Sequence, residues 1–108
     1  MRMLIVAGCV TEDQAQAAAP GCVTSCVDSF TAAFDRIVRR DIDVVVTPEA
    51  IGACNSGSGL DVARVASGYR VACVVVGEGW EDGLYGAALL QPGVNLCDAL
   101  RRAFSLRE

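Results

Sequence analysis

Apolar residues fall into short, nearly unbroken blocks, separated by stretches in which they recur every three or four positions. The first block, Arg2-Met-Leu-Ile-Val-Ala7, is bounded by Gly8. A continuous run of this length predicts a central parallel strand buried on both faces. Ile42 to Val46 and Val71 to Val76 predict two more such strands. Cys22 to Val27 is a weaker candidate, and Ala87 to Leu90 is a short apolar strand that stops at Gln91-Pro92. The intervening stretches read as helices. Thr11 offers an N-cap ahead of Glu12 and Asp13, and the Ala-rich segment Gln14 to Ala19 follows until Pro20-Gly21 ends it. Asp28 or Ser29 caps a second helix. There Phe30, Ala33, Phe34, Ile37 and Val38 recur at helical spacing and are expected to face the core, with Arg36, Arg39 and Arg40 outward. Leu60 to Ala66 predicts a third helix with Leu60, Ala63 and Val65 inward, stopped by Gly68. Asn95 caps a last helix built on Leu96, Ala99, Leu100, Ala103 and Phe104.

The predicted order is β-α-β-α-β-α-β-loop-β-α. Strands alternating with helices need right-handed crossovers, which gives a parallel sheet covered on both faces. Five strands in this arrangement suit a three-layer α/β sandwich of flavodoxin-like order 2-1-3-4-5. No repeat, linker or low-complexity tract interrupts it, so one domain is expected over residues 1–108. A chain of 108 residues, 53% of them apolar, buries about two thirds of its unfolded surface and needs no staples.

Nine basic and thirteen acidic residues leave a net charge of −4. The arginines cluster at Arg36, Arg39 and Arg40 and at Arg101, Arg102 and Arg107, on solvated helix faces and without interleaved aromatics. That pattern argues against a nucleic-acid partner. The apolar N-terminal run is too short for a signal peptide, and no stretch approaches the ~20 apolar residues of a membrane span. A soluble cytoplasmic protein is expected, with no membrane partner. Six cysteines occur without a CxxC pair or any histidine, and Cys22-x3-Cys26 has poor zinc spacing. Reduced, non-ligating thiols are expected, with Cys73 and Cys97 buried as small hydrophobes. No cofactor is implied.

Three segments in this order resemble the receiver domains of two-component signalling. Ser25 to Val46 is similar to their second helix entering strand three, and Gly59-Leu-Asp-Val-Ala-Arg64 to the start of their third helix. Leu89-Leu-Gln-Pro92 ahead of Leu96 to Phe104 looks like their fifth strand, Lys-Pro step and last helix. The resemblance covers nearly the whole chain and implies a CheY-like fold. It also implies a phosphorylation site: a carboxylate nucleophile ending strand three, two magnesium-binding acids after strand one, a hydroxyl after strand four and a lysine after strand five. Metal and lysine together neutralise the transferring phosphoryl group. Here the nucleophile position is Pro48, or Thr47 in the neighbouring register. The acid pair is Ala7-Gly8, the hydroxyl position Val76 or Gly77, and the lysine position Gln91. No functional residue of the family carries over. Glu12, Asp13, Glu49 and Glu78 are the acids left near the strand ends, and plain solvated loop acids are the expected reading.

Only Gly77 to Gly86 separates the fourth and fifth strands, so the family's fourth helix is shortened or absent. The surface that receivers use for output must then be rebuilt. Trp80, Leu84 and Tyr85 lie in this stretch, either folded down over the sheet or forming an interaction surface. A degenerate, non-enzymatic receiver is therefore expected, acting through protein partners. One such partner is a second copy, paired through the fifth strand and last helix. Two alternatives stand beside it. Cys9 after strand one would serve a cysteine-dependent phosphocarrier, although the acidic loop Val10 to Gln14 repels phosphate. Thr47-Pro-Glu-Ala-Ile51 and the closing helix vaguely resemble the small F subunit of rotary ATPases. The strand C-termini, with the loop Gly52 to Gly59, are also where this architecture binds small ligands, without any phosphate fingerprint here.

Overall fold

The computed structural model describes residues 1–49, 59–78, 83–91 and 95–107. It contains strands β1 (Arg2–Val6), β2 (Val23–Val27), β3 (Val44–Pro48), β4 (Ala72–Val76) and β5 (Ala87–Leu90). Helices α1 (Glu12–Ala18), α2 (Phe30–Arg39), α3 (Gly59–Gly68) and α4 (Leu96–Arg107) alternate with them. All strand pairs are parallel, in the order β2-β1-β3-β4-β5. This is the flavodoxin-like arrangement, with α1 and α4 on one face and α2 and α3 on the other. Among the described residues, the β4–β5 connection holds one 3-10 turn, Leu84–Gly86, in place of a helix.

Alternation along each strand divides the core into two layers. Met3, Ile5, Val44, Val46 and Val74 pack under α1 and α4. Leu4, Val6, Val45, Cys73 and Val75 pack under α2 and α3. The helix starts follow local chemistry. Thr11 Oγ1 accepts the Gln14 N–H (3.0 Å) while Gln14 Oε1 accepts the Thr11 N–H (2.8 Å), a complete capping box. Ser29 rather than Asp28 caps α2, its Oγ accepting from Ala32 N at 3.2 Å. Asn95 Oδ1 takes the Cys97 N–H at 2.8 Å.

Three details differ from the sequence expectation. On α2 only Ala33 and Ile37 are fully buried, whereas Phe34 and Val38 are 42% and 37% exposed. The apolar stripe is wider than the strip of sheet beneath it. On α3 the buried set is Val62, Ala63 and Ala66, with Leu60 and Val65 only half-buried, so the inward face is rotated from the expected one. The third is β3, which starts two residues later and runs on through Thr47 and Pro48. Its start is set by Asp43, whose carboxylate accepts the Arg2 backbone N–H at 2.7 Å and ties the strand entry to β1. Its end is set by β4, since Thr47 and Pro48 pair with Val75 and Val76. Pairing with β1 stops at Val46. A proline, which removes a ladder donor, is tolerated where one neighbouring strand has already left off.

The α2 arginines are tied down locally. Arg36 Nε meets Asp41 at 2.9 Å and its other nitrogen donates to Ser25 Oγ at 3.1 Å, while Arg39 pairs with Asp35 four residues back. No helix among the described residues is long and apolar enough to cross a membrane.

Candidate functional site

The C-terminal edge of the sheet brings the ends of β1, β3, β4 and β5 together, and every position named by the resemblance lies on it. Ala7 and Gly8 form a tight turn with φ of 56° and 64°, both exposed. The Ala7 N–H donates to Val27 O at 2.8 Å, so the turn is tied to β2. Thr47 is fully buried, its hydroxyl donating to the Pro48 carbonyl at 3.1 Å. It is the one fully buried polar side chain among the described residues, and it does not reach the surface of the edge. Pro48 follows at the strand tip, half-buried. Gln91 is exposed beyond β5.

Gly77 holds the place after β4, and its N–H donates to Leu90 O at 3.2 Å. The side chain of Glu49 lies across Gly77 so closely that any Cβ there would strike its carboxyl end. The acid one residue past the strand tip thus covers the position where the resemblance places a hydroxyl. Nothing in the sequence pattern signalled this, because it depends on the β3–β4 register. Glu12 is drawn toward β2, its carboxylate accepting from Thr24 Oγ1 at 3.3 Å. Among the described residues no cluster of three metal-ligating side chains forms.

Cys9, just past the Ala7-Gly8 turn, donates its thiol to Val46 O at 3.4 Å. Burial pushes its pKa up from 9.0 to about 11, and the fully buried Cys73 is pushed to about 12 by the same cause. A thiol so poised stays protonated near neutrality, the reverse of what a nucleophile needs. Cys97 is only half-buried rather than a core residue. The shifts carry a stability consequence. Above pH 9.0 the unfolded chain gives up these protons while the folded protein keeps them, so stability falls as pH rises from about 9 toward 11. Thermal melts between neutral and alkaline pH are expected to show this decline. The double variant Cys9→Ala/Cys73→Ala should flatten it, and an unchanged slope would contradict the assignment.

Beside Cys9, between α1 and α4, opens a cavity of about 510 Å³. Its walls come from α1 (Ala17, Ala18), the β1–α1 loop (Val10) and the ends of β4 and β5 (Val76, Leu90). Sequence reasoning placed Cys9, Val76, Gly77, Glu78 and Gln91 at these strand ends for other reasons and missed the wall that α1 contributes through Ala17 and Ala18. The only signal was the run of alanines on α1, whose short side chains leave the space open.

The expected interaction residues lie on the far side of the connection. Leu84 and Tyr85 occupy the 3-10 turn and are 37% and 40% exposed, so neither is folded down as a cover. Tyr85 has φ of 53°, uncommon for an aromatic residue. Arg64 of α3 holds it: its guanidinium donates to the Tyr85 hydroxyl at 3.2 Å and its Cζ lies 5.2 Å from the ring centroid. Trp80 lies outside the described residues.

The structure is similar to the signal receiver domain of a modulated diguanylate cyclase from Desulfovibrio desulfuricans G20, itself an example of alternate folding. The TM-score is 0.66 at 15% identity, over 98% of this chain and 91% of that one. The fold is receiver-like. A second similar structure is NtrX from Brucella abortus, with TM-score 0.63 and 16% identity over 98% of this chain. The receiver-like chain spans only 27% of that protein's length. No family model matches the sequence, and neither does any curated protein.

Proposed function

We propose that this chain is a signalling module of receiver type that does not accept phosphate and acts by binding protein partners. The observation that carries the reading is Pro48 at the tip of β3, where a phospho-accepting carboxylate would have to stand. A proline side chain offers no nucleophile, and Thr47 beside it is fully buried. The surroundings argue the same way. Ala7 and Gly8 offer no carboxylate for magnesium, and Gln91 carries no charge to balance a phosphoryl group. The whole chain contains no lysine, so none can reach the site from elsewhere in it.

Incubation with radiolabelled acetyl phosphate and magnesium is expected to leave no acyl-phosphate on the protein. Titration with magnesium and beryllofluoride is expected to leave the amide resonances of Ala7, Thr47 and Gln91 unmoved. A stable acyl-phosphate, or saturable shifts confined to those residues, would overturn the reading. The partner half is tested separately, by affinity purification from the native host together with light scattering. The half-exposed Leu84 and Tyr85, the latter held against α3 by Arg64, are the residues whose replacement should weaken capture.

A further inference from the structure

We propose that the cavity between α1 and α4 binds a compact organic cation, a primary amine with an apolar body and a neutral hydrogen-bond acceptor near the amine. The volume of about 510 Å³ lies within the ~300–1,000 Å³ typical of small-molecule sites. It opens at the C-terminal edge of a parallel sheet, where this architecture places ligands. Its walls are apolar, from Val10, Ala18, Val76, Leu90 and Leu96. The polar groups on the lining are few and specific. Among the described residues of the lining, Glu78 supplies the only formal charge and there is no arginine, so phosphates and carboxylates meet a wall of the wrong sign. The exposed side chains of Glu78 and Gln91 have no hydrogen-bond partner among the described residues, so a carboxylate and a carboxamide oxygen can accept from an ammonium group. Gln14 and Asn95 have their oxygens committed, to Thr11 N at 2.8 Å and to Cys97 N at 2.8 Å. Each also carries an NH₂ on the lining, a donor for the ligand's acceptor. One ligand satisfies both sets when a cationic donor and a neutral acceptor lie side by side, as in an amino-acid amide.

The space exists because α1 presents Ala17 and Ala18 toward α4. A larger apolar side chain at position 18 would occupy it and bury additional surface. This inference rests on the fold and the cavity, and it stands whether or not the chain takes phosphate.

The test is an NMR titration with three probes of one shape: phenylalaninamide (cationic), N-acetylphenylalaninamide (neutral) and N-acetylphenylalanine (anionic). Phenylalaninamide should bind with saturable shifts at Val10, Ala18, Glu78 and Gln91, and the anion should give none. Glu78→Gln should weaken phenylalaninamide about fivefold, as expected for one partly exposed charge-assisted contact, and leave the neutral probe unchanged. Ala18→Leu should abolish binding of both while melting at the same temperature or higher. Gln91→Ala, an exposed change that disturbs no packing, should weaken phenylalaninamide as well. Equal shifts from the anion, shifts scattered away from the cavity, no shifts at millimolar probe, or undiminished binding to the Ala18→Leu and Gln91→Ala proteins would each overturn the assignment.

Discussion

Ile37→Ala is expected to destabilise the domain by about 3 kcal/mol, at the centre of the range for removing a buried branched side chain and leaving a cavity. In a domain of this size that lowers the melting temperature by roughly 12 °C. Ile37 is fully buried, packed with Leu4, Val6 and Val45, and with Ala33 it is one of only two fully buried residues on α2. Ile37 is the one large side chain of the helix that is fully buried, with Phe30 packed against the same cluster from its partly buried position. The same periodic stripe contains Phe34 and Val38, which are mostly out of contact with the core. Phe34→Ala forfeits a tilted ring contact with Phe30 (centroids 5.9 Å apart), and each of the two substitutions should cost under about 1 kcal/mol. Denaturant or thermal unfolding of the three single variants checks this. If Phe34→Ala costs as much as Ile37→Ala, the helix sits in a different rotation from the one described.

Gly59→Ala is the second large effect, with an expected loss of about 2 kcal/mol from overpacking against backbone. A Cβ at this position would stand 2.5 Å from the Pro48 carbonyl oxygen and 3.0 Å from Glu49 Cα. Neither atom belongs to a flexible side chain that could swing away. The close approach is what lets the Gly59 N–H reach Glu49 O at 2.8 Å, joining the start of α3 to the end of β3. Alanine would push this junction apart at the edge where the candidate site lies. Gly68 at the other end of α3 provides the contrast, because a Cβ there meets nothing within 4 Å. Gly68→Ala should gain about 0.5 kcal/mol by restricting the unfolded chain. Opposite signs for two Gly→Ala changes in one helix, read by the same melts, would tie the loss to the Pro48–Glu49 contact rather than to glycine content.

Much of the architecture was legible because it is written in local and periodic signals. Three unbroken apolar runs, caps at Thr11, at Asp28 or Ser29 and at Asn95, and the short gap before Ala87 together specify a five-stranded parallel sheet without a full helix between β4 and β5. What failed was local inference about contact. Periodicity marks an apolar stripe on α2 but not its covered width, which the strip of sheet below decides, so Phe34 and Val38 were placed inward. On α3 the choice between Leu60 and Val62 turns on how the helix is rotated against the sheet, which periodicity along the chain does not state. The third strand was expected over Ile42 to Val46, short of Pro48. It continues because β1 ends early and β4 does not.

For the candidate site the division is sharper. The residue types are a property of the sequence alone: a proline where a nucleophile would stand, Ala7-Gly8 without acids, Gln91 without charge, and no lysine in the chain. Side-chain chemistry is fixed by identity, and no folding can add a carboxylate to proline. Tertiary structure alone decided that Glu49 lies across Gly77, that Cys9 is buried enough to hold its proton to about pH 11, and that Ala17 and Ala18 leave a space of about 510 Å³ facing α4. Each of these depends on distances between segments remote in the chain, set by strand register and helix packing, which a pattern along one dimension does not contain.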